Sequence, residues 1–330
     1  MRRIRPTAAL GGALAVVLLA AVRSAAADPM STSPEQAYDL GEIPSPRAVS
    51  MGGALNALGV STSSTYLNPA NMALARVYHF EALAAYSPEA QRQTYALAIV
   101  DSLVSSSRLA GGVAGAWSEL DPSGLHRIWT DVRGGLALPF GDHFAVGLMG
   151  RWLRVEQEVG VGPFGASPAS EGTASDPLFN GLTFDAGATV SIGDGLRIAA
   201  VGHNLTFPRT AIAPTTAVAG VGYYTQAFAL EADGLLDFST WQGVRGRVMG
   251  GVEVFLADRY AIRAGWRYDG GTQLNTPSLG LGYIDPRWSV ELAVRHDLVS
   301  DHAATLGVLS LRYFYDPTGA TQSPGDPGYF

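Results

Sequence analysis

The chain has 330 residues, of which 47% are hydrophobic and only 15% are charged, whereas soluble domains average about 25% charged residues. This composition excludes a disordered chain, and the absence of cysteine excludes disulfides, Cys-ligated zinc, iron–sulfur clusters and thiol catalysis. A formal net charge of −7 also argues against nucleic acid as a partner, because phosphates require a basic surface.

Residues 1–27 have the pattern of a secretory signal peptide. Three arginines precede the apolar run 8–22, and three alanines precede Asp28 as a small-residue cleavage pattern. The apolar run is shorter than the ~20 residues that a spanning helix requires, which argues against an uncleaved anchor. We therefore expect an exported chain whose signal peptide is cleaved.

Residues 28–76 show no strand-like alternation. Residues 47–58 have a weak helical period that Gly52 and Gly53 interrupt. Pro69 can start a short helix over 69–74, because its fixed φ suits a first helical turn. Nearly fifty residues lie here ahead of the first strand, many of them small, and we expect them to fold into the interior of whatever the strands enclose.

Fourteen segments after residue 76 alternate apolar and polar residues, which is typical of strands with one apolar face. In segment 288–296, for example, Trp288 and Leu292 lie on one face, and Glu291 and Arg295 lie on the other. Most segments have about nine to fourteen residues, more than the ~5–6 of soluble strands and close to the ~9–11 that cross a membrane. The segments lie near 77–86, 93–101, 108–118, 127–138, 143–156, 181–192, 195–204, 215–224, 226–238, 244–256, 259–268, 277–284, 287–296 and 303–315.

The connections between these segments alternate in length. Tight turns such as 193–195 and 285–287 follow even-numbered segments, and longer loops such as 157–180 follow most odd-numbered ones. This alternation is typical of outer-membrane barrels. We predict an all-β fold, a fourteen-stranded antiparallel transmembrane β-barrel over 77–315, surrounded by outer-membrane lipid in a Gram-negative-type cell. The alternative, a secreted soluble sandwich or propeller, needs more charge on its outer faces than this chain carries.

Two stretches ahead of the first strand carry a family resemblance. They are Met51-Gly-Gly-Ala-Leu-Asn-Ala57 and residues 66–75, which include Asn68, Pro69 and Ala70. Together with the strand count, they resemble the long-chain fatty acid transporter (FadL-like) family, especially its shorter PorV-like branch. The resemblance implies that residues 28–76 form a hatch inside the barrel, with the Asn-Pro-Ala motif packed near the third strand.

The resemblance also implies a kink in the third strand, through which substrate leaves laterally in that family. The third segment here contains Gly111, Gly112 and Gly115, where a bulge or kink costs little. The other interpretation is that small residues simply fill a tapered barrel interior.

The inward-facing positions inferred from the alternation differ along the chain. Early strands offer small or apolar residues, and later strands offer arginines and acids whose neighbouring positions favour bidentate ion pairs. Such a lattice could brace the barrel or line a water-filled path. Its members are Asp131, Arg133, Arg151, Asp185, Arg197, Glu231, Asp233, Arg245, Arg247, Glu253, Arg263, Arg267, Glu291, Arg295 and Arg312.

The resemblance implies passive uptake of hydrophobic, fatty-acid-like small molecules across the outer membrane. The six histidines are scattered and no nucleophile or metal-site pattern is present, so we expect no enzyme activity, no cofactor and no metal. Two alternatives stay open, namely a PorV-like adaptor whose partners are secretion-system proteins, and a structural barrel without transport. The Pro/Gly-rich tail 316–330 is expected in the periplasm.

Overall fold

The computed structural model describes residues 41–103, 105, 108–120, 127–157, 177–257, 259–298 and 303–315. Within them, one α-helix, α1 (Pro46–Ser50), and two 3₁₀ helices (Ser61–Thr65 and Pro69–Ala73) precede the strands. The strands are β1 (Tyr78–Ser87), β2 (Arg92–Asp101), β3 (Ala110–Leu120), β4 (Arg127–Phe140), β5 (Phe144–Gln157), β6 (Phe179–Ile192), β7 (Leu196–His203), β8 (Thr216–Tyr224), β9 (Phe228–Asp237), β10 (Arg245–Leu256), β11 (Tyr260–Asp269), β12 (Leu274–Ile284), β13 (Trp288–His296) and β14 (Thr305–Phe314).

These fourteen strands form a closed antiparallel barrel, in which β1 pairs with β14 as well as with β2. The predicted fold class is therefore confirmed, and each predicted segment agrees with its strand to within three residues. The predicted signal peptide (1–27) and tail (316–330) lie outside the described residues.

The two ends of the barrel differ. At the end that we call the tight-turn end, five connections have three residues each: 141–143, 193–195, 225–227, 257–259 and 285–287. Gly141 and Gly193 have φ of 65° and 60° there, a left-handed conformation that glycine adopts without strain. The strand β1 begins and β14 ends at this end. The opposite end, which we call the loop end, has longer connections such as 204–215.

The outward face of the barrel is an apolar belt. Leu136, Leu148, Leu182 and Leu279 are each more than half exposed. Soluble monomers rarely expose apolar patches beyond a few hundred Å², so a belt around the whole barrel is the surface expected of a protein in a bilayer. Within the part of the chain that the structure describes, no helix is long and apolar enough to cross a membrane.

Aromatic rings border this belt at both ends. Tyr260 contacts Tyr283 at the tight-turn end, with ring centroids 5.5 Å apart, and Trp266 stacks on Tyr268 at the loop end. The eight-residue separation of Tyr260 and Tyr268 along β11 corresponds to a height of about 20 Å for a strand tilted by ~40°. Aromatic girdles at this spacing are typical of barrels that cross a membrane.

Of the predicted hatch (residues 28–76), the structure describes residues 41–76, most of which are buried within the barrel. Gly41 and Glu42 lie toward the loop end, where Arg247 pairs with Glu42 at 3.2 Å. The chain then passes to the wall near the tight-turn end and enters β1 there. The weak helical period over 47–58 produces only the five-residue helix α1, because Gly52 and Gly53 adopt left-handed φ values that end it.

Candidate functional site

The Asn-Pro-Ala motif lies at the start of the second 3₁₀ helix. The Asn68 side chain caps this helix, since its Oδ1 accepts a hydrogen bond from Ala70 N at 3.1 Å. Its Nδ2 donates to Asn56 O at 2.8 Å and to Thr189 Oγ1 on β6 at 2.9 Å. Pro69 occupies the first helical position, as the sequence predicted. Asn68 therefore joins two parts of the hatch to the barrel wall.

The position of this motif differs from the one that the family resemblance implied. A β-carbon placed on Gly147 of β5 would lie 2.3 Å from Pro69 C, and one placed on Gly187 of β6 would lie 2.0 Å from Asn68 Oδ1. The motif thus packs against β5 and β6 instead of β3. Met72 of the same 3₁₀ helix does reach β3, where it lies against Gly112.

The glycine pair Gly52-Gly53 lies against the opposite wall. Gly52 has φ +70°, and a β-carbon there would lie 2.6 Å from Trp266 O. The facing residue of the wall is also a glycine, Gly265, and a β-carbon there would lie 2.1 Å from Gly52 N. Gly52 N donates to Ser278 Oγ at 3.1 Å. Only glycine on both sides allows the two backbones to approach this closely.

Two carboxylates on β9 bind the hatch backbone directly. The amides of Leu55 and Asn56 donate to Asp233 Oδ2 at 3.1 Å each, and the Asn56 side chain donates to the same oxygen at 2.8 Å. The next two amides, Ala57 N and Leu58 N, donate to Glu231 at 2.5 and 3.0 Å. Four successive backbone donors of residues 55–58 are therefore satisfied by two side chains of one strand.

A chain of buried ion pairs crosses β10, β11 and β13. Arg47 of α1 pairs with Glu253 at 2.6 Å. Glu253 also binds Arg263 at 2.6 Å, and Arg263 binds Glu291 at 2.6 Å. All four side chains are at most 3% exposed. Charge-assisted pairs of this kind are strong when the charges on both sides are compensated.

The same chain continues around the closing seam of the barrel. Arg312 of β14 lies 3.4 Å from Glu291 and 3.1 Å from Glu81 of β1. Glu81 in turn accepts a hydrogen bond from Thr62 of the hatch at 2.5 Å. Beside it, Ser61 Oγ lies 2.5 Å from His79 Nδ1. The chain of ion pairs therefore begins at Arg47 of the hatch and ends at Glu81 of β1, which is hydrogen-bonded to the hatch through Thr62. Sequence reasoning did not predict these contacts with the hatch.

A second group of charges lies on β4 and β5. Asp131 accepts from Arg133 at 3.0 Å through both carboxylate oxygens and from Arg151 at 2.8 Å. Both arginines also hold the hatch, because Arg133 Nη1 donates to Tyr66 O and Arg151 Nη2 donates to Gly41 O. Burial raises the pKa of the Tyr66 hydroxyl well above its usual range, so this group stays neutral.

Asp185 of β6 extends this second group. It accepts from Asn204 N at 2.8 Å and lies 3.3 Å from His203 Nδ1. A cavity of about 30 Å³ is lined in part by His203, Asn204, Arg133 and Arg151, and it has room for about one water molecule. Among the described side chains, no group of three or more His, Asp or Glu residues could hold a metal ion.

Some members of the predicted lattice lie apart from these two groups. Arg245 is exposed at the first residue of β10, so the structure does not place it in the lumen. Arg197 is buried with its guanidinium over the Tyr224 ring, 4.7 Å from the centroid. Arg267 and Arg295 are buried toward the loop end of β11 and β13.

The wall formed by β2 and β3 differs from the charged walls described above, and we call these two strands the apolar sector. It carries no charged side chain at its inward positions between residues 94 and 118. Tyr66 OH of the hatch donates to Leu97 O in the middle of β2. Two hydroxyls, Thr94 and Ser118, pair with each other at 2.7 Å. The inward residues are Thr94, Ala96, Ala98, Val100, Ala110, Gly112, Ala114, Ala116 and Ser118.

The strand β3 pairs continuously with both of its neighbours. The register runs from Gln93↔Glu119 to Asp101↔Gly111 on one side and from Ala110↔Ala137 to Leu120↔Arg127 on the other, without a skipped residue. No bulge is therefore present at Gly111, Gly112 or Gly115 in this conformation. Gly112 instead accommodates the hatch, since a β-carbon there would lie 2.6 Å from Met72 Sδ and 2.9 Å from Thr65 Cγ2.

Sequence reasoning missed the wall glycines that receive the hatch. Gly147, Gly187, Gly251 and Gly265 all point inward, and each leaves room for hatch backbone or for the Asn68 side chain. Their presence at inward positions, among larger inward residues of the same strands, was the signal from which these contact sites could have been predicted. Their pairing with particular hatch residues had no sequence signal.

No protein-family model and no curated protein matches this chain. Its similarity to solved structures is one of fold. The CymD monoaromatic hydrocarbon channel superposes with a TM-score of 0.61 at 15% identity, over 85% of this chain and 99% of that one. A FadL homologue from Pseudomonas aeruginosa superposes with a TM-score of 0.56 at 14% identity, over 83% and 99%.

The toluene transporter TodX of Pseudomonas putida is similar to the same degree. It superposes with a TM-score of 0.56 at 12% identity, over 84% of this chain and 99% of that chain. At these identities the comparison establishes the barrel architecture. The chain therefore shares the fold of FadL-type barrels, as the sequence resemblance predicted.

Proposed function

We propose that the protein is an outer-membrane channel through which small hydrophobic molecules cross by passive diffusion. Its closed barrel with an apolar outer belt suits a bilayer. Two proteins with the same fold are described as a monoaromatic hydrocarbon channel and a toluene transporter. Export through a cleaved signal peptide at 1–27 is part of this proposal.

The apolar sector is the observation that carries the proposal. Elsewhere in the lumen, Asp131, Glu253 and Glu291 are bound in buried ion pairs. An apolar molecule that separated such pairs would leave buried charges uncompensated, at a cost of several kcal/mol (~3–5) for each broken pair. The inward face of β2 and β3 imposes no such cost, because alanine, valine and glycine line it.

The outer side of the same wall is also shaped to accept an apolar molecule. A groove of about 840 Å³ lies over it and includes Phe80, Leu97, Val113 and Trp117. The wall between lumen and lipid thus has small apolar residues inside and an apolar groove outside. We propose that cargo leaves sideways here when the hatch residues at Gly112 move and β3 opens.

The cargo class follows from the same surfaces. Apolar groups without charge suit the apolar sector, whereas an amphipathic, fatty-acid-like molecule would place its carboxylate near Arg133, which borders the groove over β2 and β3. We therefore propose hydrocarbon-like and fatty-acid-like molecules as cargo. Arg133 is already bound to Asp131, so we expect the uncharged molecules to pass more readily.

A reversible cross-link between the hatch and β3 tests this route. The chain has no cysteine, and a β-carbon on Gly112 would lie 2.9 Å from Thr65 Cγ2, so Thr65→Cys with Gly112→Cys is placed to form a disulfide. The measurement is uptake of a labelled aromatic hydrocarbon and a labelled fatty acid into proteoliposomes. We expect uptake to fall at least tenfold when the pair is oxidised and to recover on reduction.

The matched controls are the two single-cysteine variants and Ser45→Cys with Ser63→Cys, which ties the hatch to itself where the two hydroxyls lie 3.1 Å apart. Unchanged uptake in the oxidised wall cross-link would contradict the route. If the unmodified protein takes up neither compound but copurifies with large envelope proteins, the adaptor alternative replaces the channel. The PorV-like branch and its secretion partners stay a prediction until then.

A further inference from the structure

A second groove lies on the outer face of the barrel, closer to the tight-turn end. It has a volume of about 820 Å³, within the ~300–1,000 Å³ of pockets that bind organic molecules. Its sides include Leu136, Leu148 and Phe184, which are between 39% and 57% exposed. We call it the outer groove, and it faces the lipid.

Glycines, which have no side chain, form the floor of the outer groove. Gly134 of β4 and Gly150 of β5 are direct cross-strand partners, and both lie in the groove with Gly111 of β3. A β-carbon on Gly134 would meet only Val113 at 3.9 Å, and one on Gly150 would meet nothing nearer than 3.6 Å. Side chains would fit at these positions without disturbing the wall, so the depression is open space on the surface.

The tight-turn end of the outer groove is polar. The connection 102–109 has eight residues, while the other five strand connections at this end have three. Its residues Ser105 and Leu109, with Asp101 and Tyr78, line the groove at this end. The groove therefore has apolar walls along the belt and a polar end at the level where the belt meets water.

Arg108, which precedes Leu109 and whose backbone N donates to Ser105 O at 3.2 Å, forms an exposed ion pair beside this polar end. Arg108 Nη1 donates to Asp142 Oδ1 at 2.7 Å, and the two side chains are 38% and 82% exposed. The rings of Phe140 and Phe144, 5.7 Å apart, flank Asp142 in the next turn. A cation and an anion side by side at the membrane surface complement a headgroup that carries a phosphate next to an ammonium group.

We infer that the outer groove binds one phospholipid with a zwitterionic ethanolamine headgroup from the leaflet on the tight-turn side. An acyl chain lies along the glycine floor, the phosphate meets the Arg108 guanidinium, and the ammonium meets the Asp142 carboxylate. An anionic glycerol headgroup has no ammonium group to place beside the Asp142 carboxylate. This inference rests on the proposed location of the barrel in a bilayer.

The test is native mass spectrometry of the purified full chain after release from detergent, with phosphatidylethanolamine and phosphatidylglycerol of equal chain length as probes. We expect the unmodified protein to retain one phosphatidylethanolamine, at about fivefold preference over phosphatidylglycerol. Gly134→Leu with Gly150→Leu fills the groove and should reduce this retention at least tenfold. Gly234→Leu, an outward position on β9 whose β-carbon meets nothing within 4 Å, is the matched control.

Retention by the groove-filling variant equal to that of the unmodified protein would overturn the inference. For the headgroup, Asp142→Asn should bring the two lipids to equal retention, and an unchanged preference overturns that assignment. Displacement of the retained lipid by a hydrocarbon cargo at low concentration would make the groove a cargo site instead. Co-flotation with liposomes separates the proposals, because a chain that floats but retains no lipid contradicts only this inference.

Discussion

The charged half of the barrel and the apolar sector contact the same hatch in opposite ways. On β9 to β14, acids and arginines reach into the lumen and bind it, as Glu253 binds Arg47 and Asp233 binds the amides of Leu55 and Asn56. On β2 and β3, no such group exists at the inward positions between residues 94 and 118, and Gly112 meets the hatch through the side chains of Thr65 and Met72. One side of the lumen holds the hatch by ion pairs and charge-assisted hydrogen bonds, and the other side by packing and by a neutral hydrogen bond from Tyr66 OH to Leu97 O.

This difference indicates where the assembly can open. Buried ion pairs are costly to break one partner at a time, so the hatch is fixed on the charged side. Apolar packing is non-directional and tolerates small displacements better than a hydrogen-bonded pair. We expect motion of the hatch to begin at the apolar sector, which is also the wall that the proposed cargo crosses.

The largest effect is expected from removal of a shared anion on the charged side. Glu253→Ala leaves Arg47 and Arg263 buried without their common partner, and should lower the free energy of unfolding by about 3–5 kcal/mol. Urea unfolding in detergent micelles measures it. Glu156→Ala is the control, because its pair with Arg154 is 37% exposed and should change stability by less than about 1 kcal/mol. Equal losses in both variants would remove the distinction between buried and exposed pairs.

A smaller but still clear effect is expected at a wall glycine on the charged side. Gly265→Val places a side chain where Gly52 N would lie 2.1 Å from its β-carbon, so the hatch must shift, at a cost of about 1–3 kcal/mol. We expect single-channel recordings in planar bilayers to show a higher ion conductance because the lumen is less well filled.

Gly234→Val, which meets nothing within 4 Å on the outer face of β9, serves as the comparison for that variant. It should leave the conductance unchanged and should not lower the stability. A Gly265→Val protein with the conductance of the unmodified barrel would mean that Gly52 does not need this close approach.

A further test weakens the carboxylates that bind the hatch amides without changing their size. Asp233→Asn keeps one oxygen for the amides of residues 55 and 56, whereas Glu231→Gln replaces one of the two oxygens that accept from Ala57 and Leu58 by an amide nitrogen. The double variant also removes the charge assistance, so stability should fall by about 1–3 kcal/mol. Hydrogen exchange monitored by mass spectrometry should show faster exchange in 55–58 than in the Asn68 region. Uniform acceleration along the hatch would show that the carboxylates act on the whole segment and not on these four amides.

The smallest effect is expected in the apolar sector. Gly115→Ala adds a methyl group that meets only Asp131 O at 3.9 Å on the outer face of β3, and should stabilise the protein by about 0.4–1 kcal/mol by restricting the unfolded chain. If β3 must kink for cargo to leave, the same variant should slow hydrocarbon uptake about twofold or more. Stabilisation with full uptake would place the exit away from Gly115.

The barrel itself could be predicted from the sequence because its signal is local. Alternation within segments such as 288–296 identified each strand and its lipid-facing side, and the turn lengths identified the two ends. The helix start at Pro69 was equally local, since φ of proline and capping by Asn68 involve neighbouring residues. The helix expected over 47–58 was limited to Pro46–Ser50 by two left-handed glycines.

The position of the hatch against the barrel wall could not be predicted, because its contacts join distant parts of the chain. The Asn-Pro-Ala motif was expected near β3 and lies against β5 and β6, where Thr189 and Asn68 meet across 121 positions. Arg245 has the right alternation for the lumen and is exposed, because it lies at the rim where β10 begins. Alternation gives the side of a strand but not its height in the barrel.

The sequence by itself determined a fourteen-stranded closed barrel with one apolar face, since strand periodicity and turn length are properties of consecutive residues. Only the tertiary structure decided which arginine meets which acid, as with Arg47 and Glu253, separated by 206 positions. It also decided which wall remains free of charge around the hatch. Those pairings depend on the register and curvature of the closed sheet, which bring together side chains that no local sequence pattern connects.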